Sequence, residues 1–163
     1  MTSNADDLKL RSYDRQKRLV WMLGLAGLVP LAAIAILLVA VGKGNALAEP
    51  ILNVFRIYSA TIVAFLGGAR WGAALFHSLE TTIPGQRVIA PFWAVIAALA
   101  AALGILMPAT YGMLLLLLAH CALGAWDSLS ASSGSLPRWI SPVRIVLTGL
   151  AVFSHILAMI AMA

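Results

Sequence analysis

The side chains of this chain that could do chemistry are few, and they lie inside or beside apolar stretches: Arg56, Arg70, His77, His120, Asp127, Arg144 and His155. Arg70 is the most telling. It stands in Phe65-Leu66-Gly67-Gly68-Ala69-Arg70-Trp71-Gly72, within a long apolar run. A guanidinium stays protonated and does not belong in hydrocarbon, so it must face a protein interior or a water-filled cleft and find a partner there. Three chemistries could use such residues. Arg56, Arg70 and His120 could line a path for an anion or protons. His77 and Asp127 could act as acid and base on a lipid or quinone, although two titratable groups at a helix end do not define an enzyme. Metal ligation is the third, and no cysteine or carboxylate cluster completes a zinc set. His120 and His155 are also expected at depths roughly 10 Å apart, which argues against one shared metal. No metal or cofactor is therefore expected, and each histidine reads first as a hydrogen-bonded packing residue. There is no Ser-His-Asp elbow, phosphate-cradling loop or His-Glu-x-x-His, so catalytic residues stay unknown.

These residues need elements to position them, and composition says which solvent those elements meet. Hydrophobic residues make up 62% of the 163 and charged residues 10%, against roughly 25% charged in soluble domains. With a mean hydropathy of +0.97, lipid must be the solvent for most of the chain. Five apolar runs follow a polar N-terminal segment at 1–18: about 19–42, 51–79, 88–107, 110–126 and 141–163. Each is long enough, or nearly so, for the roughly 20 residues of a crossing. Pro50, Pro91 and Pro142 sit in first turns, where a missing N–H is harmless, and Pro84-Gly85 and Pro108 close runs. Ala46-Leu47-Ala48 resembles a small-residue cleavage site, but the preceding run is too long for a signal-peptide core and no cleavage is expected. The segment 127–140, with its serines, reads as a flexible polar loop. Cys121 has no partner in the chain for a disulfide and reads as a small apolar residue. The expectation is one all-α domain at 19–163, a polytopic bundle of five transmembrane helices.

Charge orients it. Lys9, Arg11, Arg15, Lys17, Arg18, Arg87 and Arg138 fall on one side of a five-crossing topology, with Arg144 just beyond, and only Lys43 on the other. The net charge of +5 thus marks topology and not a nucleic-acid surface. The positive-inside rule puts the N-terminus in the cytoplasm and the C-terminus in the periplasm, and Trp21, Trp93, Trp126 and Trp139 fall near the same boundary. Steps of three or four residues put Arg56, Ser59, Val63, Gly67, Arg70, Ala74 and His77 on one face of the second helix. His120, Gly124 and Asp127 share a face of the fourth, and Arg144, Thr148, Ala151 and His155 one of the fifth. Counting helical rise inward from the predicted ends puts Arg70, His120 and Thr148 about 10 Å deep as a polar cluster. His77, Asp127 and Arg144 form a second layer at the cytoplasmic mouth, with Asp127 the counter-charge to Arg70 or to Arg144. Gly67, Gly68 and Gly72 give the second helix a small face for helix packing, within the bundle or in a dimer.

Tyr58-Ser59-Ala60, the Phe65–Gly72 segment, Asp127, Leu136-Pro137-Arg138-Trp139, Arg144 and Leu147-Thr148 together resemble a family of small multi-pass membrane proteins. That family includes eukaryotic transmembrane protein 69 and bacterial relatives, and its domain has unknown function. The resemblance spans roughly residues 15–160, with Gly67-Gly68-x-Arg70-Trp71-Gly72 its most specific part. It implies residence in a membrane and importance of these polar residues, and no reaction. The expected location is the bacterial cytoplasmic (inner) membrane. The expected partners are the lipid bilayer and other membrane-protein subunits, with no nucleic acid. Small size, short loops and the lack of a catalytic set point to a non-catalytic accessory or assembly component of a larger membrane complex. An anion or proton carrier or channel around Arg70 is the alternative, and a lipid- or quinone-acting enzyme ranks behind it.

Overall fold

The structure is a computed structural model that describes residues 2–77, 86–134 and 136–163, without the side chains of 2–10, 74, 76, 77 and 86–91. It is all-helical among the described residues: α1 Thr2–Val41, α2 Ala48–His77, α3 Gln86–Leu106, α4 Ala109–Ser132 and α5 Ile140–Met162. Four of these contain apolar segments long enough to cross a bilayer: Arg11–Val41, Ala48–Ala73, Ala109–Ser132 and Ile140–Met162. In α3, whose side chains are described only from Phe92, the described apolar stretch is Phe92–Leu106. The fold is the expected five-helix membrane bundle.

Short connections force successive helices to run antiparallel. Only Met107 and Pro108 separate α3 from α4, and a proline whose ring cannot follow in a helix ends α3 there. Gly42 ends α1 with φ +73°, a conformation that costs glycine nothing. The packing closes a ring: α1 on α2, α2 on α3, α3 on α4, α4 on α5 and α5 back on α1, with α2 also reaching α4. One core, of Leu31, Ala35, Leu38, Leu52, Phe55, Met113, Ala151 and Ala158, lies where α1, α2, α4 and α5 meet. A second, of Ala60, Val63, Ala97, Ala101, Leu116 and Leu123, joins α2, α3 and α4. Outward faces carry exposed Leu23, Val29, Ile36, Phe65, Phe153 and Ile160, as lipid-facing helices do. Since lipid tails are as apolar as leucine, close packing of small residues rather than burial from water holds such helices together.

Two helix boundaries differ from the sequence expectation by six residues or more. The helix containing the first span begins at Thr2, so residues 2–18 of the polar segment belong to α1, and the Tyr13 ring leans edge-on against Trp139 at 6.2 Å. The helix α4 runs to Ser132, six residues past the expected end at 126. Its extra turns hold because their polar groups are used: Ser132 Oγ donates to the Leu129 carbonyl (2.7 Å), and Asp127 and Ser130 are taken up by arginines. Pro30 sits within α1. It deprives the Ala26 carbonyl of its helical donor, and one residue on, the Tyr58 hydroxyl donates to the Gly27 carbonyl at 2.7 Å.

Candidate functional site

The inward stripe of α2 forms as its spacing requires, with Arg56, Ser59, Val63 and Gly67 buried and Arg70 partly so. Facing stripes of α4 and α5 meet it at two polar levels, and the end of α3 meets it at a third.

At the end of the bundle that carries the N-terminal helix, one carboxylate sits between two guanidiniums. Arg144 Nε donates to Asp127 Oδ2. Arg70 Nε lies 3.1 Å from Asp127 Oδ1, and the two atoms form no hydrogen bond, so this limb is coulombic. Arg70 Nη2 donates instead to Ser130 Oγ at 2.6 Å, and its Cζ stands 5.6 Å from the Trp126 ring centroid, in cation–π range. The side chains of Arg70, Asp127 and Arg144 are 15%, 6% and 10% exposed, so water screens the trio little. Two fixed cations and one carboxylate leave the cluster with an excess positive charge. Asp127 is thus counter-charge to both arginines, where the sequence left a choice between them.

Near the middle of the bundle, Ser59 on α2 joins His120 on α4 to His155 on α5. Ser59 Oγ lies 3.2 Å from His120 Nε2 and 2.9 Å from His155 Nε2, and all three residues are buried. His155 Nδ1 faces the Ala151 carbonyl at 2.8 Å. A carbonyl only accepts, so Nδ1 carries the proton and Nε2 of a neutral His155 accepts from the Ser59 hydroxyl. The Ser59 oxygen then accepts from His120 Nε2–H. This wiring satisfies the serine with one donor and one acceptor. The rings pack edge-on at 5.2 Å between centroids, and Phe55 stacks edge-on to His155 at 5.0 Å.

The expected depth difference of roughly 10 Å between His120 and His155 is therefore corrected: they share one layer. The error came from the end of α4. His120 lies twelve residues before Ser132 and His155 fifteen after Ile140, about 18 and 22 Å of rise. The same extra turns carry His120 inward, away from Arg70. Thr148 lies between the two layers, where a Cβ added to Gly124 would meet Thr148 Cβ at 2.9 Å. The residues grouped as one cluster, Arg70, His120 and Thr148, thus lie at three different heights, with Thr148 between the other two. Arg70 joins Asp127 and Arg144, which had been set in a separate mouth layer. His77 belongs to α2, but its side chain lies outside the described residues. Among those residues, no group of three or more His, Cys, Asp or Glu side chains is placed to hold a metal.

The third level is at the opposite end. Arg56 reaches the last turn of α3 and donates from Nη2 to the carbonyls of Gly104 (3.0 Å), Ile105 (2.9 Å) and Met107 (2.5 Å). Those carbonyls have no intrahelical donors, and a cation at a helix C-terminus also meets the favourable end of the dipole. Sequence reasoning put Arg56 on the stripe but could not name a partner that is backbone. It also missed Ser130, read as loop filler. Its position three residues after Asp127 would have placed it on the same face had α4 been extended.

The glycines divide. A Cβ at Gly67 would lie 2.8 Å from Ala97 Cβ and 3.1 Å from the Ala94 carbonyl oxygen, so this glycine seats α2 against α3. At Gly68 and Gly72 it would meet nothing within 4 Å.

Residues 16–160 match the model of a family described as "Protein of unknown function (DUF3429)". No curated protein and no solved structure matches the chain.

Proposed function

The chain belongs to the DUF3429 family of unknown function, and on that premise we propose that it is a non-catalytic accessory or assembly component of a larger membrane complex. The supporting observation is that most of its intramembrane polar side chains are engaged by neighbouring helices, with one cation in excess. Asp127 is held by two arginines, the histidines by Ser59, and Arg56 by the end of α3. Between these levels stand buried Val63, Leu116 and Leu123. Such an arrangement stiffens a scaffold and leaves the wide apolar exterior to meet lipid or other subunits. The sequence resemblance supports kinship with transmembrane protein 69 and its bacterial relatives. The expected location is the bacterial inner membrane, and the charge asymmetry supports an N-terminus in the cytoplasm and a C-terminus in the periplasm.

Affinity purification of the tagged protein in mild detergent tests this reading. A stoichiometric membrane-protein partner is the expected result, and a clean monomer or homo-oligomer would overturn it. The excess positive charge at Arg70, Asp127 and Arg144 favours a second reading, an anion or proton carrier. Flux through reconstituted liposomes should then fall with Arg70→Ala, and indifference to that substitution removes this reading.

A further inference from the structure

A cavity of about 380 Å³ lies between α2, α3 and α4, beside the charged cluster. That volume is within the range of small-molecule sites, about 300–1,000 Å³. Its walls are apolar side chains, among them Ala97, Ala119 and Ala122, except for Arg70 at one end. On α4 the lining runs from Leu115 to Leu129, which is about 20 Å of helical rise. One leaflet of hydrocarbon is about 15 Å thick, half the core of a bilayer. The groove therefore has the length of a single acyl chain. Trp93 and Trp126 flank its charged end with ring centroids 5.5 Å apart, and Trp93 is well exposed. Indoles settle at the level where chains meet headgroups.

The charged end has capacity to spare. Arg70 stands at the level of the indoles, its Cζ 5.6 Å from the Trp126 ring centroid, which places it near the interface. Its Nη2 donates to Ser130 Oγ, and the carboxylate beside its buried Nε is already hydrogen-bonded to Arg144. The local excess of one cation calls for an anion. Exposed Lys17, Arg18 and Arg138 at the same end of the bundle favour an anionic leaflet.

We infer that this groove is a seat for one anionic phospholipid, with an acyl chain along the alanine-lined wall between α3 and α4 and the phosphate at Arg70. Guanidinium and phosphate suit each other in charge and in planar, forked geometry. A neutral lipid would fill the same volume and leave the charge unanswered.

The test is native mass spectrometry of delipidated full-length protein incubated with equimolar phosphatidylglycerol and phosphatidylcholine of matched chains. Wild type should retain one phosphatidylglycerol, preferred over phosphatidylcholine by about tenfold. Arg70→Gln should abolish the preference and keep residual binding of both lipids, whereas Arg70→Lys should keep part of it. Ala122→Phe fills the groove without touching a charge and should remove both lipids, which preserves the test if Arg70→Gln fails to fold. Equal retention of the two lipids by wild type overturns the inference. So does undiminished phosphatidylglycerol on Ala122→Phe, or a dimer that this substitution dissociates, which would make a second copy the occupant.

Discussion

Replacing Asp127 by Asn should be the most damaging single change to this protein, although it is nearly isosteric. The substitution leaves Arg70 and Arg144 facing each other with no carboxylate between them. Breaking a buried pair by removing one partner costs about 3–5 kcal/mol, because the remaining charge is uncompensated. The side chains here are 6–15% exposed, so little of that is lost to screening. The arginines should follow in a definite order. Arg144→Gln leaves Asp127 with only the coulombic contact to Arg70. Arg70→Gln leaves the Arg144 hydrogen bond intact and should cost only about 1–2 kcal/mol. Adding Arg70→Met to Asp127→Asn should recover about 1–3 kcal/mol by removing one of two like charges. Exchanging the charges, Arg70→Asp with Asp127→Arg, should give no rescue, because the new arginine would face Arg144. Unfolding in mixed micelles titrated with sodium dodecyl sulfate, followed by circular dichroism, measures all five. If Asp127→Asn lies within about 0.5 kcal/mol of wild type, as a surface substitution would, or if the charge exchange restores stability, the three-membered cluster is refuted.

Four further outcomes follow from the rest of the polar stripe. Ser59→Ala should cost about 1–3 kcal/mol by stranding two histidine nitrogens. Nitrogen-15 spectra should show His155 protonated at Nδ1 in wild type, and an Nε2 tautomer would contradict the wiring. Arg56→Met should fray the end of α3, speeding hydrogen exchange from Gly104 to Met107, and unchanged protection there would remove the clamp. Gly124→Ala should destabilise by about 1–3 kcal/mol through collision with Thr148. Adding Thr148→Gly should relieve it, and additive losses in the double variant would contradict the close approach.

The helices were legible because a bilayer demands long apolar runs, and these are separated by proline, glycine and charge. The polar stripes were legible too, since three- and four-residue steps need only the helical period. Height was harder to read. Trp126 to Ser132 has the composition of a loop, yet it stays helical because Asp127 and Ser130 find arginines on other helices. No local signal encodes those partners. With α4 cut short at 126, every depth on it shifted by six residues, which separated His120 from His155 and set it beside Arg70. The role of Arg56 was hidden for another reason: its acceptors are backbone carbonyls, which every residue carries. Ser59 was on the stripe, but a bridging serine differs from a packing serine only through the histidines that flank it in space.

The central claim is that Arg70 shares the Asp127 carboxylate with Arg144 across the bundle. Rotational-echo solid-state NMR on nitrogen-15 arginine and carbon-13 aspartate, with the protein in lipid bilayers, measures that directly. A dipolar coupling between the guanidinium nitrogen of Arg70 and the carboxyl carbon of Asp127 is expected, matching an Nε–Oδ1 separation of 3.1 Å and lost in Asp127→Asn. An Arg70 signal with no such coupling, in contact with acyl chains instead, would contradict it.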